Sequence, residues 1–151
     1  MNNHFQIFDI APNLDLNSND LEEKYLELQL QFHPDLFINK SQDKQEKAKI
    51  SSSNINNAYE ILKDPLKRAI HFLEINNIFI DSIKPDNILL IEIMEIKETL
   101  AEADENEANL IKKDLEERKR NLYQEIISLT NKNLIIEASK KIILFKYLDN
   151  I

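Results

Sequence analysis

Three adjacent residues, His33, Pro34 and Asp35, hold the densest chemistry in the chain. An imidazole offers an acceptor and a donor near neutral pH, and the carboxylate beside it adds a fixed charge. Proline removes a backbone donor and disfavours helical geometry in the residue before it, so His33 must stand at the end of whatever helix precedes it. Such a small polar patch suits docking better than catalysis. The plainer alternative is a helix-stopping proline, with Asp35 accepting backbone donors of the following turn. A second group comprises Glu95, Glu98 and Glu102 beside Leu90 and Met94, which are four residues apart and share a helical face. Exposed, this strip is a docking site rimmed by carboxylates; buried, it is a wide core face. The glutamates also raise a carboxylate metal site as an alternative. Di-iron bundles need Glu-x-x-His pairs on two helices, however, and His4, His33 and His71 all lie outside the region where a bundle would form. Neither metal nor cofactor is expected. His71, beside Phe72 and Leu73, reads as structural, and His4 as terminal and exposed.

Composition narrows the choice further. The 151 residues include no Gly, no Cys and no Trp. Without glycine there is no Walker loop, Rossmann fingerprint or nucleophile elbow. Without cysteine there is no disulfide, thiolate nucleophile, zinc ribbon or cysteine-ligated cluster. A net charge of −8 and a pI near 4.9 argue against nucleic acid, whose binding depends on clustered Lys and Arg. The most apolar run, Asn87 to Ile96, is broken by Glu92 and Glu95 and is too short for a membrane span. Met1 to Pro12 carries no Lys or Arg and no long apolar run, unlike a signal or transit peptide. The expectation is a soluble, intracellular protein with a protein partner and no membrane span.

The elements that must position these groups are helical throughout. Leu21, Tyr25, Leu28 and Phe32 form one stripe of a helix from Ser18 to Phe32, with Asn17 or Ser18 as its cap. Ala48, Ser52, Ile55, Tyr59 and Leu62 repeat the spacing between Gln42 and Lys63, and Asp64-Pro65 closes that helix and opens another through Arg68, Ala69, Phe72 and Leu73. The outcome is an antiparallel hairpin whose loop begins at His33, flanked by short helical pieces at Phe5 to Ile10 and Pro65 to Ile75. A polar stretch over 76–83 reads as a linker between a first domain, 1–75, and a second, 84–151. The second carries three apolar-striped helices: Asn87 to Ala103, Glu107 to Thr130, and Leu134 onward. Leu89, Ile93, Ile96 and Leu100 are the inward stripe of the first, and the three faces can enclose one core as a bundle. The last pattern reaches Ile151 without a clear stop, which leaves room for further tail residues.

The loop His33-Pro34-Asp35 between two striped helices, followed by Asn56-Asn57-Ala58-Tyr59 and Asp64-Pro65-Leu66-Lys67-Arg68-Ala69, resembles a J domain. The resemblance implies that the loop engages the nucleotide-binding domain of a DnaK-class chaperone and triggers ATP hydrolysis there. One feature departs from the pattern. J domains usually carry several Lys or Arg on the helix before the loop, whereas Lys24 is the only one here, against Asp20, Glu22, Glu23 and Glu27, and Leu36 stands where a Lys often follows the Asp. Lys24 therefore joins the loop as the expected basic contact. Either the partner surface is less acidic, or Lys40, Lys44, Lys47 and Lys49 supply the steering. A dedicated partner and a shallow salt dependence of association are expected.

No Gly/Phe-rich linker or Cys-x-x-Cys module follows. The layout resembles the HscB family, the J-type co-chaperones of iron–sulfur cluster assembly, over nearly the whole chain, including His4-Phe5-Gln6-Ile7-Phe8 and His33 to Phe37. That resemblance implies an all-α protein in which the J domain meets an HscA-type ATPase chaperone and the bundle binds the iron–sulfur cluster scaffold protein. Matched residue by residue, it puts Leu90, Met94, Glu95, Glu98 and Glu102 at the scaffold-binding positions, with Tyr147 on the last helix as an aromatic contributor. A J-domain protein for a different client and a carboxylate metalloprotein are the alternatives.

Overall fold

The computed structural model describes residues 3–151; Met1 and Asn2, at the start of the expected first domain, lie outside the described residues. The described residues contain seven α-helices and no strand, which agrees with the all-α expectation. The chain divides into two compact units, Met1–Ile75 and Asn76–Ile151.

The first unit holds α1 (His4–Ile7), α2 (Ser18–Phe32), α3 (Gln42–Lys63) and α4 (Pro65–Ile75). Asn17 caps α2, its side-chain oxygen accepting the backbone N–H groups of Asn19 and Asp20, and Ser41 caps α3 by accepting from Lys44. The core is built from Phe5, Phe8, Leu21, Ile55, Ala58 and Leu62, with Tyr25, Leu28, Phe32 and Tyr59 half-buried around it. Pairing of α2 with α3 is fixed at two levels. The rings of Tyr25 and Tyr59 stack at 4.1 Å. Next to them Asn56 Oδ1 accepts from the Tyr25 hydroxyl at 2.8 Å and from the Gln29 amide, while the Ser52 hydroxyl donates to Gln29 Oε1 at 3.3 Å. These bonds set the register of the hairpin one turn below its loop. Arg68 is buried and donates to the carbonyl of Leu62 at 2.9 Å, satisfying one of the carbonyls that the end of α3 leaves open.

In the second unit Asp86 caps α5 (Asn87–Glu102) and Asp104 caps α6 (Glu105–Asn131), the latter accepting from Glu107 at 2.8 Å. α7 (Ile135–Asp149) returns along α6. Leu115, Leu122, Ile126 and Ile127 of α6 are buried, as are Ala138, Ile142, Ile143, Phe145 and Leu148 of α7, whereas α5 buries Ile93 alone. Of the stripe expected to face inward from α5, Leu89, Ile96 and Leu100 are only half-buried. Ion pairs tie α5 to α6 through Glu92 and Arg118 (2.6 Å), and α6 to α7 through Lys119 and Asp149 (3.2 Å). The stretch 76–83 carries a single 3₁₀ turn, Ile80–Ser82, with Ile80 buried and Asp81 3.4 Å from Lys146.

A chain without glycine must still reverse direction. Asp9, Asn77 and Asn133 take the left-handed conformation at φ of 53°, 61° and 60°. Asn and Asp tolerate that region because their short polar side chains bond locally. At Asn133 the reason is clear: Leu134 N–H donates to Leu129 O at 2.9 Å and Asn133 N–H to Thr130 O at 3.0 Å, a Schellman closure of α6 that requires one left-handed residue.

The two histidines of the first unit are not independent. His71 is buried, and its Nε2 accepts the backbone N–H of His4 at 3.0 Å. The two rings lie 4.5 Å apart, so the expectation that His4 is exposed is corrected: it is half-buried against His71, which holds the start of α1 in place. Burial, with the neighbouring His4 adding to it, pushes the pKa of His71 down to about 4. Burial also lowers that of His4, against the opposing charge of Glu74. In the unfolded chain His71 protonates near 6.5. The native state therefore binds fewer protons between these values, so stability is full above about 6.5 and falls as pH drops toward 4. The loss from His71 alone is on the order of 3 kcal/mol. The first unit should thus lose stability to denaturant between pH 7 and 5, and proton-detected NMR should show a His71 ring that stays neutral over that range. A His71 titrating near its ordinary value would contradict this account.

Candidate docking surfaces

At the end of α2 the backbone of His33 leaves the helical region (φ −60°, ψ 133°) while its N–H still donates to the carbonyl of Gln29 at 2.9 Å. Pro34 opens a 3₁₀ turn, Pro34–Phe37, for which His33 is the cap. Its Nδ1 accepts the backbone N–H of Asp35 at 3.2 Å. The imidazole of His33, and not the Asp35 carboxylate of the plainer alternative, accepts this donor. An Nδ1 that accepts leaves the proton on Nε2, an assignment that follows from the hydrogen bond. The Asp35 carboxylate sits 3.6 Å from Nδ1, and the two side chains are 52% and 81% exposed. An imidazole and a carboxylate, both largely exposed, are thus presented side by side on one short turn. Exposed Leu36 and Ile38 follow them.

Lys24 does not reach this patch. Its ammonium donates to the carbonyl of Phe8 at 3.4 Å, and nine residues of helix place it about 13 Å from His33 along the axis. The outer face of α2 instead carries Glu22, Glu23 and Glu27 with Leu26 and Leu30, the last 77% exposed. The Leu21–Phe32 stripe does not include the two leucines. Their signal is a four-residue repeat lying off the Leu21–Phe32 stripe.

On α5, Met94, Glu95, Glu98 and Glu102 are exposed together with Ile88 and Ile91, and Leu90 is half-buried. Ile91, Met94, Glu95, Glu98 and Glu102 follow one another at spacings of one, three and four, so they share the solvent side. The wide-core alternative does not hold for this helix. Ile88 and Ile91 enlarge the strip beyond the residues expected from sequence. Tyr147 is half-buried and lines a small crevice with Ile80, Ile83, Ile143 and Lys146, a set that includes no residue of α5. The geometry therefore places Leu90 and Met94 on one helix with the glutamates, while Tyr147 lies on α7. Among the described residues, no three His, Asp or Glu side chains gather as a metal site. Nor is any helix among them long and apolar enough to cross a membrane.

Comparison with known proteins agrees with this layout. Residues 3–71 match the DnaJ domain family, and residues 85–151 match the HSCB C-terminal oligomerisation domain. The chain is 36% identical over 139 residues to the co-chaperone protein HscB homolog of Haemophilus ducreyi, covering 87% of this chain and 80% of the relative. It is 34% identical over 128 residues to the co-chaperone protein HscB of Buchnera aphidicola, covering 83% and 72%. Among solved structures, human co-chaperone HscB superposes with a TM-score of 0.91 at 27% identity, covering 99% of this chain and 78% of the other, and chaperone HscB from Vibrio cholerae with 0.85 at 26%, covering 99% and 92%. The chain belongs to the HscB family of J-domain co-chaperones.

Proposed function

We propose that this protein is a non-enzymatic adaptor of iron–sulfur cluster assembly in the cytoplasm or an equivalent organelle matrix. It holds the cluster scaffold protein on the α5 strip and docks on an HscA-type ATPase chaperone through His33, Pro34 and Asp35. The observation that carries this reading is the self-capped loop. Its imidazole and carboxylate are exposed side by side on a short capped turn, which is the form of a docking element. Leu90 and Met94 are the anchors for the scaffold, and the three glutamates tune the encounter. Tyr147, half-buried on α7, is the aromatic contributor to scaffold binding. Lys24, engaged by Phe8, supports the loop indirectly by tying α2 to the N-terminal segment. Two modest contacts in one chain raise the effective concentration of each partner for the other, so neither needs to be strong.

Replacing His33 by Gln should abolish stimulation of single-turnover ATP hydrolysis by the chaperone while leaving helicity and scaffold affinity unchanged. Full stimulation by the folded variant would refute the role given to the loop. Truncating Leu90 and Met94 together to Ala should weaken scaffold binding roughly ten- to a hundred-fold in calorimetry, as loss of two apolar anchors does. Because these side chains contribute little to the core, thermal stability should barely move. An unchanged scaffold affinity would assign the strip to a different client.

A further inference from the structure

The acidic outer face of α2 leaves open how a negatively charged adaptor is steered onto its ATPase partner. The loop residues Ile38 to Lys40 turn back so that Gln45 donates to the carbonyls of Ile38 and Lys40, at 3.1 and 2.9 Å. This pins the turn against the start of α3 and forms a hollow of about 350 Å³ beside the His33 loop. Phe32, Phe37 and Ala48 make its floor. Lys40, Lys44 and Lys47 stand around it, all exposed, the last two on the same stripe of α3 as Ala48. Lys47 pairs with Asp43 at 3.1 Å, but no carboxylate among the described residues pairs with Lys40 or Lys44. An apolar floor under lysine stems, with ammonium groups free to point outward, matches one kind of occupant: an extended segment that alternates aliphatic side chains with carboxylates.

We propose that this lysine-rimmed hollow receives an acidic, aliphatic segment of the ATPase partner, so that the positive steering absent from α2 is supplied from the opposite flank of the loop. The proposal rests on the docking role given to His33–Asp35. It also explains why the chain tolerates glutamates along α2: the attractive field is concentrated on one side, which fixes the orientation in which the partner arrives.

The test is stopped-flow association of the full-length protein with an HscA-type chaperone in its ATP-bound state. The wild type is compared with Lys40→Glu/Lys44→Glu, with His33→Gln, and with Lys112→Glu/Lys113→Glu as a charge-matched change on α6. The hollow variant should associate about ten-fold more slowly at low ionic strength, with the gap closing near 0.5 M salt, where the screening length is about 4 Å, so the wild type depends on salt more steeply than the shallow dependence expected from α2. The α6 variant should match the wild type. Equal rates for the hollow variant and wild type, or equal slowing in both charge variants, would overturn the proposal. Ser51→Phe, which fills the hollow from its α3 wall, should speed dissociation several-fold; unchanged dissociation of the folded variant would overturn occupation of the cavity, and the surface charge variants decide alone if that substitution disturbs the fold. Should wild type and His33→Gln bind equally or not at all, the docking role of the loop falls as well. Normal His33-dependent binding with an inert hollow would remove this inference and leave the adaptor reading standing.

Discussion

A single hydrogen bond, from the Asp35 backbone N–H to Nδ1 of His33, organises the surface on which the rest of the account depends. It makes one side chain serve as the cap of a turn and as an outward donor at once. That dual use is available to imidazole because its two nitrogens take opposite roles in the neutral ring. Proline at position 34 prevents α2 from continuing through the turn, and the α2–α3 clasp of Tyr25, Gln29, Asn56 and Tyr59 holds the helix end in place. The motif Asn56-Asn57-Ala58-Tyr59 thus has a mechanical meaning. Asn56 accepts two bonds from α2, Ala58 is fully buried where a larger side chain would force the helices apart, and Tyr59 stacks on Tyr25.

The two units differ in how they use their apolar residues. The first sinks them into a core that positions one rigid turn. The second puts most of its buried surface between α6 and α7, leaving α5 held by Ile93 and by the Glu92–Arg118 pair while Ile88, Ile91 and Met94 face solvent. Exposing several large aliphatic side chains on one helix carries an aggregation hazard unless a partner covers them. The glutamates interleaved with them lower that hazard and add selectivity.

Much of this was legible in the sequence because the governing physics is local. Helical periodicity, the Asp64-Pro65 boundary and the cap at Asn17 depend on neighbours three or four residues away. The tripeptide at His33 was visible, but not that the imidazole, rather than the carboxylate, would cap the turn, since both can accept the same N–H. Contacts between distant segments were not legible either. His4 packs on His71 across 67 positions, and nothing in the pattern around either residue announces it. The engagement of Lys24 by the Phe8 carbonyl is of the same kind. On α5, sequence could place Leu90 and Met94 on a common side, but how much of a helix is covered depends on how tightly its neighbours close, so the exposure of Ile88 and Ile91 emerged only from packing.

The central claim is that one chain couples capture of the scaffold to ATP hydrolysis by the chaperone. The most direct measurement is single-turnover hydrolysis by an HscA-type chaperone with the scaffold alone, with this protein alone, and with both, for the wild type and for the Leu90→Ala/Met94→Ala variant. The account predicts that scaffold and wild type together accelerate hydrolysis beyond the product of their separate effects, and that the variant stimulates normally alone but loses the excess. Purely multiplicative effects, the same for wild type and variant, would show that the two surfaces act independently and would contradict the coupling.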